Sequence, residues 1–319
     1  MVELSVLIPN YNSKKGIREV LDSLIKSISN CELIISDDAS ADNSIKIIKD
    51  FLKSKKIILK KKNMKVKIYY SKKNNGASIN RNKCIKKSHG KKLFFLDCDV
   101  IINKKTFLKL KKLSDYYDIV FPKVLNEDKK IIYPLYKNEI RTPLASTCFV
   151  IRKDVLKKLD KLFDKNLKYG SEDTEFFLRC AFFGLKSHYE PSVYVIHKNR
   201  DRSSSEYLLY NEVKAIIYVS TKLKPILKKI NLKIDSLPLK LIKLFIVALF
   251  NFNCWDRENN ALNVPFYKIL PKVFFNHTVI SKKGNLFTLK IYLKALKDSF
   301  YYYKLALKER EKIMKFIEE

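Results

Sequence analysis

The feature that most constrains this chain is a short apolar run that ends in two acids. Residues 93–96 read Leu-Phe-Phe-Leu, and Asp97 and Asp99 follow with Cys98 between them. Four large apolar residues in a row are typical of a strand buried on both faces. Ligands of open α/β sheets bind just beyond the carboxyl ends of the strands. The run therefore predicts a core strand that ends in a divalent-metal site. The alternative is that the two acids lie in a solvated turn, which would give the same sequence pattern.

The first hundred residues alternate between strand and helix patterns. Strands are predicted at residues 4–8, 32–36, 65–70 and 93–96, and helices at 17–28, from the N-cap Asp42 onward, and from the Asn75-Gly76 turn to about His89. Residues 53–67 are dense in lysine and are expected to be mainly a solvated connection. Fourfold alternation predicts a doubly wound, mostly parallel α/β sheet. A later strand over residues 144–152 and a helix over 153–162 are also expected.

Three of the predicted strands end in polar clusters. The first is followed by Asn10-Tyr11-Asn12, the second by Asp37-Asp38, and the fourth by Asp97 and Asp99. One such cluster is easily a helix cap, but parallel strands bring their carboxyl ends to one edge of the sheet. Three clusters on that edge indicate a nucleotide site.

Composition limits the class of protein and its partners. The 319 residues include 65 Lys and Arg against 33 Asp and Glu, a formal net charge of +32. This excess favours anionic partners, and compositional bias of an AT-rich genome would also produce it. The six cysteines lack C-x-x-C spacing, which indicates packed thiols in a reducing compartment. Because the chain begins with a strand, we expect no signal peptide and a cytoplasmic location.

The chain changes character after about residue 200. Residues 237–245 and 300–305 alternate lysine with large apolar residues at helical spacing, and no strand pattern is evident. The longest apolar run there, residues 244–250, is too short to span a bilayer. We expect a domain over 1–202 and a helical region over 203–319, which either lies peripherally on the cytoplasmic face of an anionic membrane or packs on the first domain.

A set of six motifs, in order, resembles the family 2 glycosyltransferases of GT-A fold. They are residues 5–12 (Ser-Val-Leu-Ile-Pro-Asn-Tyr-Asn), 34–40 (Ile-Ile-Ser-Asp-Asp-Ala-Ser), Asn75-Gly76 with Arg81-Asn82, 95–99 (Phe-Leu-Asp-Cys-Asp), 170–176 (Gly-Ser-Glu-Asp-Thr-Glu-Phe) and 191–197 (Pro-Ser-Val-Tyr-Val-Ile-His). The resemblance covers roughly residues 2–200. Taken together, the motifs are far more specific than any one of them.

The resemblance implies a nucleotide-sugar donor, UDP- or TDP-linked, held by Pro9, Tyr11, Asp38, Arg81 and Asp97. A carboxylate at Asp38 can accept the imide N–H of uracil or thymine, and Tyr11 can stack on a base. Arg81 could hold a phosphate or Asp97 with two hydrogen bonds. The alternatives are a turn residue at Asp38, packing at Tyr11 and an exposed helix charge at Arg81.

The resemblance also implies a metal, Mn²⁺ or Mg²⁺, held by Asp99, Asp97 and His197. Both ions prefer oxygen ligands and share their remaining positions with substrate phosphates. A third acid often follows Asp99 in this family, but here the residue is Val100. His197, at the end of a strand pattern, could equally be a structural residue.

For the acceptor side, the resemblance implies that Asp173, with Glu172 beside it, is the general base of an inverting reaction. A single displacement needs one carboxylate to take the proton of the acceptor hydroxyl. Acids in the first turn of a helix are also favoured by the helix dipole alone. This alternative would give both residues a purely structural role.

The expected function is transfer of a hexose to a glycan or lipid-linked acceptor in cell-envelope glycan biosynthesis. A sugar nucleotidyltransferase would need a glycine-rich basic loop after the first strand, where residues 9–12 read Pro-Asn-Tyr-Asn. A basic membrane-binding or nucleic-acid-binding protein is supported by charge alone. Acids at these strand ends would repel a phosphate backbone, so we expect no nucleic-acid partner.

Overall fold

The structure is a computed structural model that describes residues 2–133, 145–168, 170–198, 205–229, 255–256, 261–262 and 285–318. Its contacts divide the chain into two compact units. The first unit comprises Met1–Lys168 and Glu172–Arg200, and the second comprises Tyr169–Ser171 and Asp201–Glu319.

The first unit is built on a mixed sheet of nine strands. In chain order the strands are β1 (Leu4–Asn10), β2 (Cys31–Asp37), β3 (Met64–Tyr70), β4 (Lys92–Leu96), β5 (Val100–Ile101), β6 (Ile119–Leu125), β7 (Ile131–Tyr133), β8 (Cys148–Arg152) and β9 (Ser187–His197). Their order across the sheet is β3-β2-β1-β4-β8-β6-β9-β5, with β7 paired to β6. β1 to β4 are mutually parallel where they pair, while β8 runs antiparallel to both β4 and β6.

Helices cover both faces of this sheet. They are α1 (Ile17–Ser27), α2 (Ser44–Ser54), α3 (Lys56–Lys61), α4 (Ala77–Lys87), α5 (Lys104–Leu113) and α6 (Glu172–Phe182). Alternate residues of β1 point to opposite faces, so Val6 packs in one apolar cluster and Leu7 in the other. The first cluster includes residues of α1, α2, α3 and α5, and the second includes residues of α4 and α6. The predicted doubly wound α/β architecture is therefore confirmed.

Three local predictions differ from the structure. Residues 53–67 contain the short helix α3, which Leu59 attaches to the core. The helix expected over 153–162 is only a 3₁₀ turn, Asp154–Lys158. The helix expected to start from Asp42 begins at Ser44, although the Asp42 carboxylate still accepts the Ser44 N–H at 3.0 Å.

The cysteines of the described residues are buried free thiols: Cys31, Cys84, Cys98, Cys148 and Cys180. Burial raises the pKa of Cys31, Cys84 and Cys180 to about 12. A thiol with so high a pKa is neutral and unreactive at neutral pH. The predicted packed role is confirmed for these residues, and Cys254 lies outside the described part of the chain.

The second unit contains the helices α7 (Ser205–Lys222), α8 (Lys224–Lys229) and α9 (Asn285–Glu318), and a two-residue strand pair, Trp255–Asp256 with Ala261–Leu262. The sequence pattern missed these short strands. Tyr210 of α7 donates a hydrogen bond to Asp298 of α9 at 2.5 Å. Among the helices of the described residues, none combines the length and the apolar character needed to cross a bilayer. Residues 237–245, the first example of a basic apolar helix, lie outside the described residues.

Candidate functional site

The carboxyl ends of β1 and β2 are joined by a buried hydrogen-bond network. Asn10 donates its side-chain amide to Asp37 at 2.8 Å, and it accepts a hydrogen bond from the Ser13 hydroxyl. Asp37 also accepts from the Ser40 hydroxyl at 2.5 Å and from the Ser40 N–H at 3.0 Å. Buried polar groups that are fully paired in this way are rigid. The network therefore fixes the loops that follow both strands.

The next carboxylate, Asp38, holds the turn at residues 75–76. It accepts the N–H of Asn75 at 2.9 and 3.0 Å and the N–H of Gly76 at 2.7 Å, and it is 2% exposed. Gly76 has φ +92°, and a Cβ atom there would lie 2.4 Å from the Lys168 carbonyl oxygen. Only glycine fits this turn. Asp38 thus positions the turn that leads into α4, a contact that the sequence pattern did not reveal.

Arg81 on α4 joins the acids of two distant segments. One of its guanidinium nitrogens donates to Glu172 at 2.8 Å, and the other lies 3.3 Å from Asp97. The guanidinium also lies over the ring of Phe163, 5.6 Å from its centroid. Burial alone would lower the pKa of Arg81, but the carboxylates of Asp97, Glu172 and Asp173 outweigh it and raise the pKa. Arg81 is therefore a fixed cation between the end of β4 and the start of α6.

Asp173 lies beside this ion pair, in the first turn of α6. Its carboxylate accepts the N–H of Ser146 at 3.2 Å and the N–H of Thr174 at 2.8 Å. Loss of hydration and the negative charge of Glu172 raise the pKa of Asp173 to about 7, against the lowering effect of Arg81 and the two N–H groups. A half-buried carboxylate with this pKa can take up a proton at neutral pH.

A short backbone link connects Asp173 with the acids after β4. Ser146 donates its N–H to Asp173, and the carbonyl of the next residue, Thr147, accepts the N–H of Asp97 at 3.0 Å. Residues 146–147 lead into β8, whose antiparallel pairing with β4 sets this register. The antiparallel direction of β8 was not evident from the sequence. The link brings together parts of the chain that are far apart in the sequence.

Asp99 and His197 form the candidate metal pair. Asp99 is buried, and its carboxylate lies 3.5 Å from Nε2 of His197. The pairing of β5 with β9 places His197 opposite Val100. No group of three or more acidic, histidine or cysteine side chains that could hold a metal converges within the described residues. The three residues predicted as ligands are therefore divided here: Asp99 faces His197, while Asp97 faces Arg81.

The remaining predicted residues lie at the rim. Pro9 is half-buried in β1, and Tyr11 is 37% exposed in the loop that follows. An exposed ring at this position is open to a ligand.

The sequence motifs did not reveal a set of contacts around Arg179 and Asn82, which we call the clamp. Arg179 of α6, which is fully buried, binds Glu175 at 2.7 Å, Asp160 at 2.9 Å and the carbonyl of Leu162 at 2.6 Å. The side-chain amide of Asn82 on α4 donates to the Phe163 carbonyl at 2.7 Å and accepts the Phe163 N–H at 3.0 Å. The Glu175 to Arg179 spacing of four residues on a helix was the available signal. The clamp fixes α6, and hence Asp173, relative to α4.

Comparison with known proteins agrees with this fold. Residues 5–131 match the model of glycosyl transferase family 2. The poly(ribitol-phosphate) beta-N-acetylglucosaminyltransferase TarS of Staphylococcus aureus is 33% identical over 109 residues, which cover 33% of this chain and 18% of that enzyme. The matched stretch is thus a small part of that relative.

Two solved structures share the fold. The S. aureus TarS 1–349 complex with UDP-GlcNAc aligns with a TM-score of 0.57 at 20% identity, over 94% of this chain and 81% of that one. A mannosyltransferase of Pyrobaculum calidifontis in complex with GDP-Man and Mn²⁺ aligns with a TM-score of 0.54 at 12% identity, over 99% and 86%. The fold is therefore of the GT-A class. Within this fold, the stretch from residue 5 to residue 131 is similar in sequence to glycosyl transferase family 2.

Proposed function

We propose that this protein transfers a hexose, with inversion, from a UDP- or TDP-linked donor to a glycan or lipid-linked acceptor of the cell envelope. The single observation that carries the proposal is Asp173. Its carboxylate has a pKa raised to about 7 and lies next to an arginine that also faces Asp97. A base of this pKa beside a cluster of strand-end acids suits a reaction between a hydroxyl and an anionic donor.

In the proposed reaction Asp173 takes the proton of the acceptor hydroxyl as its oxygen attacks the anomeric carbon. The bond from that carbon to the nucleotide diphosphate breaks on the opposite face, so the configuration inverts. Glu172 and Arg81 act on Asp173 in opposite directions. The negative charge of Glu172 makes Asp173 more basic, and the positive charge of Arg81 offsets the repulsion between the two acids. The two backbone N–H groups on Asp173 fix its direction.

Asp99 and His197 would hold the divalent cation, Mg²⁺ or Mn²⁺. A carboxylate oxygen and an imidazole nitrogen 3.5 Å apart can be neighbouring ligands of one ion. Such an ion keeps waters and substrate phosphate oxygens in its other positions, so two protein ligands fit it. It would supply charge neutralisation for the departing diphosphate. Asp97, which lies against Arg81, would be available to bind the ion or the sugar of the donor.

Donor recognition is assigned to the loops after β1 and β2. Tyr11 would stack on the base, and Asp38 would accept its imide N–H or hold the turn that borders it. Support for a nucleotide-sugar donor comes from the aligned structures, which contain UDP-GlcNAc and GDP-Man. The name of TarS, which includes poly(ribitol-phosphate), supports a glycan-like acceptor.

A screen of sugar nucleotides tests this proposal directly. The purified full chain is incubated with UDP-, TDP- and GDP-linked hexoses, with Mn²⁺, Mg²⁺ or EDTA, and release of the nucleoside diphosphate is measured. We expect metal-dependent release from one donor and product of inverted anomeric configuration by NMR. Retention of configuration would overturn the role of Asp173, and release of pyrophosphate would indicate a nucleotidyltransferase.

We further propose that the first 202 residues form the catalytic domain and that residues 203–319 lie against the cytoplasmic face of an anionic membrane. Support comes from α9, where Phe300 and Tyr301 are 63% and 66% exposed beside Lys304. Aromatic residues next to lysines suit a membrane interface. Flotation with anionic vesicles tests the proposal, and equal flotation of wild type and a Phe300→Ser, Tyr301→Ser variant would contradict it.

A further inference from the structure

A segment of 46 residues in the first unit contains no acid at all. Residues 51–96 include fifteen lysines and Arg81, and neither Asp nor Glu. Since 33 of the 319 residues are acidic overall, composition alone would put about five acids in a segment of this length. Genome-wide bias toward lysine explains an excess of cations, but it does not explain this exclusion of carboxylates.

The segment lies at one margin of the sheet. It runs from the end of α2 through α3, β3 and α4 into β4, and β3 is the first strand of the sheet order, paired on one side to β2. α3 lies at the amino end of β3. The exposed lysines close to α3 in the sequence include Lys53, Lys56, Lys60, Lys61 and Lys65.

Apolar residues are exposed in the middle of these cations. Ile57 is 72% exposed and Ile58 is 40% exposed, whereas the next residue, Leu59, is 7% exposed and anchors the helix. The two isoleucines form a small apolar patch rimmed by lysines, and apolar patches with polar rims are typical of interaction sites. We define the α3 surface as Lys56, Ile57, Ile58, Lys60 and Lys61.

Some neighbouring lysines already have partners. Lys67 lies 3.4 Å from Glu32, and Lys62 donates to the carbonyls of Lys26 and Ile28 at 3.3 and 3.4 Å. The contacts of Lys62 tie the C-terminal end of α3 to the end of α1. The residues of the α3 surface itself are exposed to solvent.

We propose that the α3 surface is a docking site for an anionic lipid bilayer, with Ile57 and Ile58 inserted between headgroups and the lysines on anionic lipids. Charge complementarity carries the first part, because basic clusters are drawn to anionic membrane surfaces. The exposed isoleucines carry the second part, because apolar side chains stabilise binding by burial in the interface. A polyanionic chain such as nucleic acid would use the lysines but gain little from two isoleucines.

The α3 surface is separate from the candidate active site. β3 has α3 at its amino end and leads at its carboxyl end to the turn at residues 75–76. Six residue steps at about 3.3 Å per residue put these ends about 20 Å apart. Changes on the α3 surface should therefore leave turnover of soluble substrates unchanged, and the proposal stands independently of sugar transfer.

The test uses the full chain and vesicles of phosphatidylcholine with or without phosphatidylglycerol. One variant, Lys56→Gln, Lys60→Gln, Lys61→Gln, removes charge, and a second, Ile57→Ser, Ile58→Ser, removes the apolar contact. Matched controls on α5 are Lys104→Gln, Lys105→Gln, Lys112→Gln and Leu108→Ser, since Leu108 is 51% exposed. The basic α9 is present in every protein, so differences between matched variants report on α3.

We expect each α3 variant to weaken binding to anionic vesicles about tenfold or more, with melting temperature unchanged and little effect of the α5 controls. Added salt should weaken vesicle binding by the wild type and should reduce the difference in binding between the wild type and the lysine variant. Equal losses from α3 and α5 charge variants would overturn the proposal, as would wild-type binding by the isoleucine variant. Binding of duplex DNA that depends on the lysines, without vesicle binding, would assign the surface to a polyanionic chain instead.

Discussion

The carboxyl end of β2 and the start of α6 hold their acids in different ways. Asp37 and Asp38 are buried and accept two or more N–H or O–H donors each from nearby loops. Asp173 is half-buried, accepts two backbone N–H groups and faces a second carboxylate, Glu172, which helps to raise its pKa to about 7. The first arrangement fixes loops, and the second prepares a group that exchanges a proton.

The difference follows from what each region has to do in the proposed reaction. A donor site gains from preorganisation, because loops that are already ordered cost less to order on binding. A general base gains from a pKa near the working pH, because it must be free of its proton before reaction and hold it afterward. The acids at the end of β2 should therefore act by holding the loops in place, and Asp173 should titrate.

Among the strand-end acids, Asp99 should give the largest effect when it is replaced, by the substitution Asp99→Asn. Asparagine keeps the shape of the side chain but removes the charge beside His197. Loss of several kcal/mol of charge stabilisation corresponds to about a 10³-fold lower rate of transfer. Steady-state transfer with saturating metal measures the effect.

The matched control is Asp50→Asn, which changes an exposed acid within α2 and should transfer sugar at the wild-type rate. Circular dichroism and melting temperature should be the same for both variants. Wild-type turnover by Asp99→Asn would remove this residue from the metal site.

Asp173→Asn tests the titrating side. Loss of a general base should lower turnover about 10²- to 10⁴-fold and leave nucleotide affinity nearly unchanged. In the wild type, kcat/KM should rise with pH and level off above about 7, because Asp173 must lose its proton. The variant should lack this limb.

The pH dependence of stability is an independent test of the raised pKa of Asp173. A carboxyl whose pKa is raised on folding favours the folded state most at pH below its unfolded pKa, about 3.9, and this contribution is lost as pH rises to about 7. Asp173→Asn should therefore melt at least as high as the wild type at pH 8. A variant that melts earlier yet turns over normally would show that Asp173 only starts α6, by the helix dipole.

The sequence predicted the elements whose pattern is local. Residues 93–96 fall within β4, and the alternation of strands and helices gave the α/β sheet, because periodicity and strand-end acids are visible in a short window. The sequence missed the direction of β8, the link through Ser146 and Thr147, and the Arg179 clamp. These depend on pairings between residues far apart in the chain, which no local pattern contains.

The same limit applies within the site. The resemblance named Arg81, but only the fold places it between Asp97 and Glu172. Asp38 was read as a base contact, and its hydrogen bonds to the turn at residues 75–76 required a tertiary structure. The assignments of Pro9, Tyr11, Asp38 and the other site residues to binding or catalysis stay predictions.

Asp38→Ala is expected to have a smaller effect than the two catalytic variants. Loss of the carboxylate leaves the N–H groups of Asn75 and Gly76 unpaired, and one lost buried hydrogen bond to a charged group costs about 1.5–3 kcal/mol. Affinity for UDP or TDP should fall about tenfold, with EDTA present, because neither the base nor the turn depends on metal. Calorimetry measures this directly.

The control for Asp38→Ala is Asp42→Ala. Asp42 also accepts backbone N–H groups, from Lys14 at 2.9 Å and Ser44 at 3.0 Å, but it belongs to the start of α2. It should lower stability without changing nucleotide affinity. Unchanged affinity of Asp38→Ala for every nucleotide tried would leave Asp38 outside the donor site.

The mildest expected effect, Glu172→Gln, separates the two arrangements most finely. Glutamine can still accept a hydrogen bond from Arg81, but it no longer opposes the charge on Asp173. The pKa of Asp173 should fall, and the rising limb of kcat/KM should move to lower pH by roughly one unit. Turnover at pH 8, where Asp173 is already deprotonated, should change less than tenfold.

The matched control is Glu190→Gln, which changes a buried acid that binds Ser192 and Lys109 and should leave the limb in place. If Glu172→Gln leaves the limb where it was while Asp173→Asn abolishes it, Asp173 titrates without help from its neighbour, and loss of hydration alone sets its pKa. If neither variant moves the limb, the proton that controls kcat/KM belongs to another group, and Asp173 only holds backbone N–H groups in place, as Asp37 and Asp38 do at the end of β2.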